Sequence, residues 1–429
     1  MKSRRQFLGS LGLGAVAGLA GCLSLNDGSS ESDPGIEAED LQGWEPDTLP
    51  SQTVLPFDLA PDLQEAHRTR ASALVESVPT DPSIPNGHIA QQITTDREHV
   101  RSRLETEPDG RPLETLHNRQ RTRTRAAELY GAYRAATGND DGGAVSRRRR
   151  ESREAWSTVS ASIDYEASTP IEAVLVYAPI ERRLDRASHE SQPQVTYPDQ
   201  SLSNVEQAGN AFEAVETAIA TVESARGIRD QYLETRTNAS PQWNRLLRSL
   251  RHLEISVSRT RSERLDLPEN PPIDEFDGIE LTGIQRELLH TADRELRYGD
   301  DPIRDRRVNG QPALAVLQAG RTLAGIATYE AVTAGIRDGT IPDASTEASV
   351  KTAAERAVSA VESLEDGVHP RFQFAVARPA LSAYESAVRR LDDAYYDVED
   401  IEASFRFTTV FTHAVAEAVP FVVSTLEDC

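Results

Sequence analysis

Cysteine, methionine and lysine are nearly missing from this 429-residue chain: Cys22 and Cys429, Met1, and Lys2 and Lys351 are the whole supply. Two cysteines at opposite ends make no disulfide framework, Cys-x-x-Cys knuckle or haem attachment motif, which excludes those redox and zinc classes. Aromatic residues are 6 % of the chain, and Trp44, Trp156 and Trp243 are the only tryptophans. That is sparse for a carbohydrate enzyme of the α/α-toroid kind, whose site would stack sugars on rings. Phosphate loops, nucleophile elbows, His-Glu-x-x-His helices and Gly-x-Gly-x-x-Gly turns are missing too, so nucleotide and hydrolase enzymes lack their usual signatures. No long β-branched run alternates polar with apolar, so an α/β solute-binding architecture has no strands to build on.

Positive charge is also short. Acidic residues number 69 against 46 basic, for a net −23. An excess of this sign keeps a surface hydrated and disfavours nucleic acid as a partner. The run Arg147–Arg150 is followed by Glu151 and Glu154, the spacing of ion pairs on a solvated helix face.

What is present begins at the N-terminus. Arg4 and Arg5 precede an apolar run from Phe7 to Ala20, too short to span a bilayer, and Leu19-Ala20-Gly21-Cys22 follows. As a buried helix this segment would pay roughly 1 kcal/mol for each of Gly9, Gly12, Gly14, Gly18 and Gly21. It resembles the twin-arginine signal and lipobox of an exported lipoprotein, and the acidic, lysine-poor composition resembles proteins of halophilic archaea. The resemblance implies that Arg4 and Arg5 direct export, that residues 1–21 are removed, and that Cys22 carries a lipid. The membrane would then be a partner through that lipid, with the protein on its extracytoplasmic face; secretion without lipid is the alternative. Loss of Lys2, Arg4 and Arg5 would take the net charge from −23 to −26.

Residues 22–57 are rich in Ser, Asp, Glu, Gly and Pro, which predicts a disordered tether reaching about 30 Å. Beyond it, apolar residues recur at three- and four-residue spacing between breaker-rich turns. The pattern predicts an all-α fold of antiparallel bundles with about 12 helices. They fall near 60–78, 88–106, 111–137, 145–163, 170–189, 202–237, 241–264, 278–298, 312–337, 346–366, 370–396 and 399–426. The Pro-rich stretch 267–278 divides one bundle, 58–266, from another, 278–429.

Three constellations are candidates for chemistry. Glu114-Thr-Leu-His117 and Glu287-Leu-Leu-His290 have the Glu-x-x-His spacing by which helical di-iron proteins aim ligands into a bundle, although two further carboxylates have no assignable positions. Near the C-terminus, Glu402, Arg406, Thr409, His413 and Glu417 form a narrow polar strip on an otherwise apolar helix. The strip either faces water or lines a wet cleft where Arg406, His413 and Glu417 bind a polar ligand. Pro179, Pro379 and Pro420 interrupt apolar helical pattern and must bend or end a helix. Asn238-Ala-Ser240 is a glycosylation sequon.

Together these features predict a lipid-anchored, cell-surface helical protein with a structural or binding role toward a protein or small molecule. No catalytic residue or cofactor is implied. A helical extracytoplasmic enzyme or metal-site protein is the alternative.

Overall fold

The computed structural model describes residues 41, 43–50, 53–106, 110–264, 275–297, 302–391 and 397–429. Arg4, Arg5 and Cys22 lie outside the described residues. Among those described, the chain forms fourteen α-helices, one 3-10 turn and two short two-stranded ribbons, an all-α fold. It divides into two compact units, Leu55–Trp243 and a second that joins Asn244–Cys429 to the described residues up to Val54.

The first unit holds α1 (Pro61–Glu76), α2 (Gly87–Glu105), α3 (Pro112–Ala136), α4 (Gly142–Ala161), α5 (Pro170–Glu190) and α6 (Val205–Glu234). Proline in the first turn opens α1, α3 and α5, where its fixed φ suits the helix and its missing N–H has no intrahelical partner to lose. The long helices α3 and α6 form the central pair, with α1 and α2 packed on α3, and α4 and α5 on α6. The central pair lies close because two glycines permit it. A Cβ at Gly131 would stand 2.5 Å from the Phe212 ring, and one at Gly209 would stand 2.9 Å from the Glu128 carbonyl oxygen.

The second unit holds α7 (Trp243–Arg264, entering from the first unit's last residue), α8 (Gly283–Arg297), α9 (Pro302–Val308), α10 (Pro312–Arg337), α11 (Glu347–Glu362), α12 (Pro370–Val376), α13 (Arg378–Arg390) and α14 (Val398–Asp428). Its centre is α14, against which α8, α10, α11 and α13 pack. Phe405, Phe407, Phe411, Val415, Val419 and Val422 of α14 are all buried. The helix is long and apolar enough to cross a membrane, but in the fold its neighbours cover most of that surface.

Four expectations need correction. The division of the chain falls at Trp243/Asn244, not in 267–278. The reason lies in α7, where Leu246, Leu250 and Leu253 are fully buried, Ser249 Oγ donates to the Thr425 carbonyl at 3.2 Å, and Arg307 donates to Glu254 at 2.6 Å. Residues 265–274, most of the expected linker, lie outside the described residues.

Where it is described, from Leu41 on, the expected tether is packed against the fold. Leu41 is buried, Trp44 packs edge-on to Phe405 with centroids 6.4 Å apart, and the Tyr384 hydroxyl donates to the Asp47 carbonyl at 2.6 Å, all in the second unit. In the first unit Leu55 is buried, and Phe57 lies 5.6 Å from the Tyr232 ring.

Two expected helix boundaries move as well. Pro379 splits the expected helix 370–396 into α12 and α13, whereas α5 and α14 run on through Pro179 and Pro420. Between the expected helices 278–298 and 312–337, where the breaker-rich pattern predicts only a turn, α9 forms.

Last, Arg147–Arg150 is not wholly a solvated face. Arg147 and Arg150 are exposed, but Arg148 reaches the buried Glu216 and Arg149 donates to the Val195 carbonyl at 2.6 Å.

Candidate functional site

The expected sites are not assembled as expected. Glu114 and His117 lie on α3 of the first unit and Glu287 and His290 on α8 of the second. Among the described residues no three His, Cys, Asp or Glu side chains gather as metal ligands. The expectation of a metal site on the Glu-x-x-His pairs is therefore corrected: among the described residues neither pair has beside it the further carboxylates such a centre needs.

On α14 the polar strip divides. Glu402 and Arg406 are buried and paired at 2.7 Å, and Ser349 Oγ of α11 donates to the other Glu402 oxygen at 2.7 Å. Arg406 is thus an interior structural cation, not the wall of an open cleft. His413 and Glu417, a turn or more further on, are half-buried, and burial depresses the imidazole pKa and raises that of the carboxyl.

The polar chemistry of the first unit is concentrated along α3. From Asn118 to Arg125 arginine occupies every second position: Arg119, Arg121, Arg123 and Arg125. On a helix, residues two apart point about 200° from one another and residues four apart about 40°, so this run makes two arginine pairs on opposite faces. Arg119 and Arg123 are buried; Arg121 and Arg125 are exposed.

On the buried face, Arg123 Nε donates to Glu216 at 2.8 Å and Nη1 to Glu223 at 2.5 Å. Arg148 donates to the second Glu216 oxygen at 2.5 Å, and Arg70 reaches both oxygens at 3.2 and 3.4 Å. Burial alone would raise the Glu216 carboxyl; Arg123, Arg148 and Arg70 outweigh it and hold it at about 2.

His67, fully buried, sits 3.0 Å from Arg123 Nη1 through Nδ1 and 2.8 Å from Ser224 Oγ through Nε2. A guanidinium can only donate, so Nδ1 accepts and the proton lies on Nε2, donated to Ser224. Burial, then Arg123 and Arg183, bring His67 down to about 3. This network fixes α1, α3, α4 and α6 together and offers no open position to a ligand.

On the other face two cavities flank Arg121 and Arg125. The larger, about 950 Å³, is a groove between α2, α3 and the start of α6. Ile89, Ile93 and Leu129 supply apolar wall, while Arg103, Arg121 and Arg125 meet Asp96, Glu128 and Glu206. Burial, followed by the Glu128 charge, raises the Asp96 carboxyl. The smaller, about 280 Å³, is a polar chamber between α3, α5 and α6. Arg121, Arg125 and Arg186 face a single carboxylate there, Glu213, with His117 and the hydroxyl residues Thr124, Thr217 and Thr221 beside them. Of the residues expected to carry chemistry, only His117 lines either cavity. The alternating arginines were the available signal, since a two-residue period of charge on a helix-forming stretch must place cations on both sides.

Residues 62–238 match the model of a domain family of unknown function (DUF8262), and residues 243–424 match that of a second (DUF8264). The two matches meet where the structure divides into its units. No curated protein and no solved structure matches the chain.

Proposed function

We propose that the chain is an exported, lipid-anchored binding protein on the extracytoplasmic face of the membrane, with a polar ligand held in the groove between α2, α3 and α6. The observation that carries the binding role is that groove, whose volume of about 950 Å³ lies in the range of small-molecule sites. Its lining has the character of such sites, an apolar wall with a few charged groups to orient the bound molecule. The anchor rests on Arg4, Arg5 and Cys22. Cys22 precedes Leu41, the first described residue, by 19 positions, which span at most about 65 Å.

Two measurements test the two parts. Membrane fractionation should find the wild-type protein in the membrane without residues 1–21, and Cys22→Ser should leave precursor or release protein to the medium. Cytoplasmic protein with Met1 intact would end the anchoring half. For the groove, protein purified from its own cells is denatured and released small molecules are identified by mass spectrometry. Ser102→Trp, which places an indole in the groove, should abolish retention; a wild type that releases nothing, or a variant that retains as much, would end the binding half.

A further inference from the structure

The chain carries 69 acidic residues against 46 basic, yet one of its chambers reverses that balance. In the 280 Å³ space between α3, α5 and α6, three guanidiniums meet one carboxylate. Two of the three have carboxylates nearby: Arg125 pairs with Glu128 and lies 3.6 Å from Glu213, and Arg186 lies 3.9 Å from Glu190. Arg121 has no carboxylate within ion-pair distance among the described residues. Behind the chamber Arg183 adds a further cation; its Nη1 donates to the Pro179 carbonyl at 3.0 Å, and its buried Nε has no hydrogen-bond partner. Burial, then Arg186, Arg183 and Arg121, depress the pKa of His117, so three guanidiniums act on one imidazole at the chamber wall.

The adjoining groove is different, because its three arginines meet Asp96, Glu128 and Glu206 and their charges balance. Arg121 and Arg125 line both spaces, so a ligand seated in the groove meets the chamber across their side chains.

We infer that the chamber takes an anionic group of the ligand, a carboxylate or a phosphate, with Arg121 as the principal cation and the Thr217 hydroxyl as a donor; the Thr124 and Thr221 hydroxyls already donate to the Arg121 and Thr217 carbonyls. This rests on the proposal that the groove binds a small molecule and adds the chemical class of what is bound. A guanidinium matches either oxyanion with two parallel N–H donors, and a charge-assisted bond is stronger than a neutral one. The volume, about that of nine liquid waters, admits a head group of this kind together with a hydroxylated carbon or two.

The test is calorimetric titration of the purified chain at one fixed molar potassium chloride concentration with three probes: inorganic phosphate, galacturonate, and galactose, which differs from galacturonate in lacking the carboxylate. Galacturonate should bind about tenfold or more tightly than galactose, with phosphate competing for it. Arg121→Gln should erase that preference, while Arg147→Gln, on the exposed face of α4, should keep it. Competition by phosphate without a galacturonate preference would assign the chamber to phosphates; a galacturonate preference without such competition would assign it to carboxylates.

Equal binding of galactose and galacturonate with no phosphate competition, binding of no probe, or an undiminished anion preference in Arg121→Gln would overturn the inference. Its failure is distinct from failure of the groove. If the released-molecule experiment still yields a compound that Ser102→Trp loses, the groove stands and only the anionic class is wrong.

Discussion

Arg321 on α10 donates through Nη2 to the carbonyl oxygen of Ala375 at 2.9 Å. Ala375 precedes Pro379 by four residues, so this is the carbonyl that proline, having no N–H, leaves without its helical donor. The guanidinium supplies the bond from a neighbouring helix. The chain resumes as α13 with Pro379 in its first turn, where the missing N–H has no intrahelical partner to lose.

A double-mutant cycle follows from that contact. Arg321→Met should cost about 1–3 kcal/mol in denaturant unfolding, the price of an unsatisfied buried carbonyl. In a Pro379→Ala background the restored N–H can serve Ala375, and the same substitution should cost distinctly less. Equal costs in both backgrounds would show that Arg321 acts through its packing instead.

Glu216 should be among the least replaceable side chains of the first unit. Glu216→Ala takes from the buried Arg123 its buried carboxylate and from the half-buried Arg148 its partner, an expected loss of about 3–5 kcal/mol. Arg70→Gln removes the partner whose side chain is 40 % exposed and should cost under about 1 kcal/mol. Denaturant midpoints of the two variants at molar salt decide the ranking.

His67 gives the first unit a pH dependence of definite sign. Its pKa is about 3 in the fold against an ordinary 6.5, so on acidification the unfolded chain takes up a proton that the folded chain refuses. Stability is complete above pH 6.5 and declines below it, by about 2 kcal/mol at pH 5 from this group alone. Glu216, held at about 2 against 4.5, adds a second loss of the same sign below pH 4.5. His67→Gln should flatten the segment between pH 7 and pH 5 in chemical unfolding; an unchanged slope would remove His67 as its source.

Phe411, fully buried at the centre of α14, should cost about 3–5 kcal/mol when replaced by alanine, through lost burial and the cavity left behind. Thermal unfolding of the second unit reads this. A cost below about 1 kcal/mol would mean that the surrounding helices close over the gap.

The net charge of −23 should make folding depend on salt. At about 1 M the screening length is near 3 Å, and dilution restores self-repulsion across the surface. Circular dichroism should show full helicity at molar salt and substantial loss in dilute buffer. Equal cooperative transitions in both would refute a surface adapted to high salt.

The sequence by itself determined the helices, because three- and four-residue apolar spacing and first-turn prolines are local signals. The expected helix 312–337 coincides with α10 (Pro312–Arg337). Asp277-Gly278 is a local signal of the same kind: both residues stand at positive φ, and this two-residue turn joins Phe276 to Ile279 in a hairpin.

What only the tertiary structure decided was which polar residues face one another. Glu114 and Glu287 share a motif and occupy different units, whereas Arg70, Arg123 and Arg148 share no motif and meet at one buried carboxylate, Glu216. Spacing along a helix fixes the face on which a side chain stands; which helix covers that face depends on packing between segments far apart in the chain. Arg121 and Arg123 show the difference two residues can make: α6 closes over one as a buried ion pair, while the other stands between two open cavities.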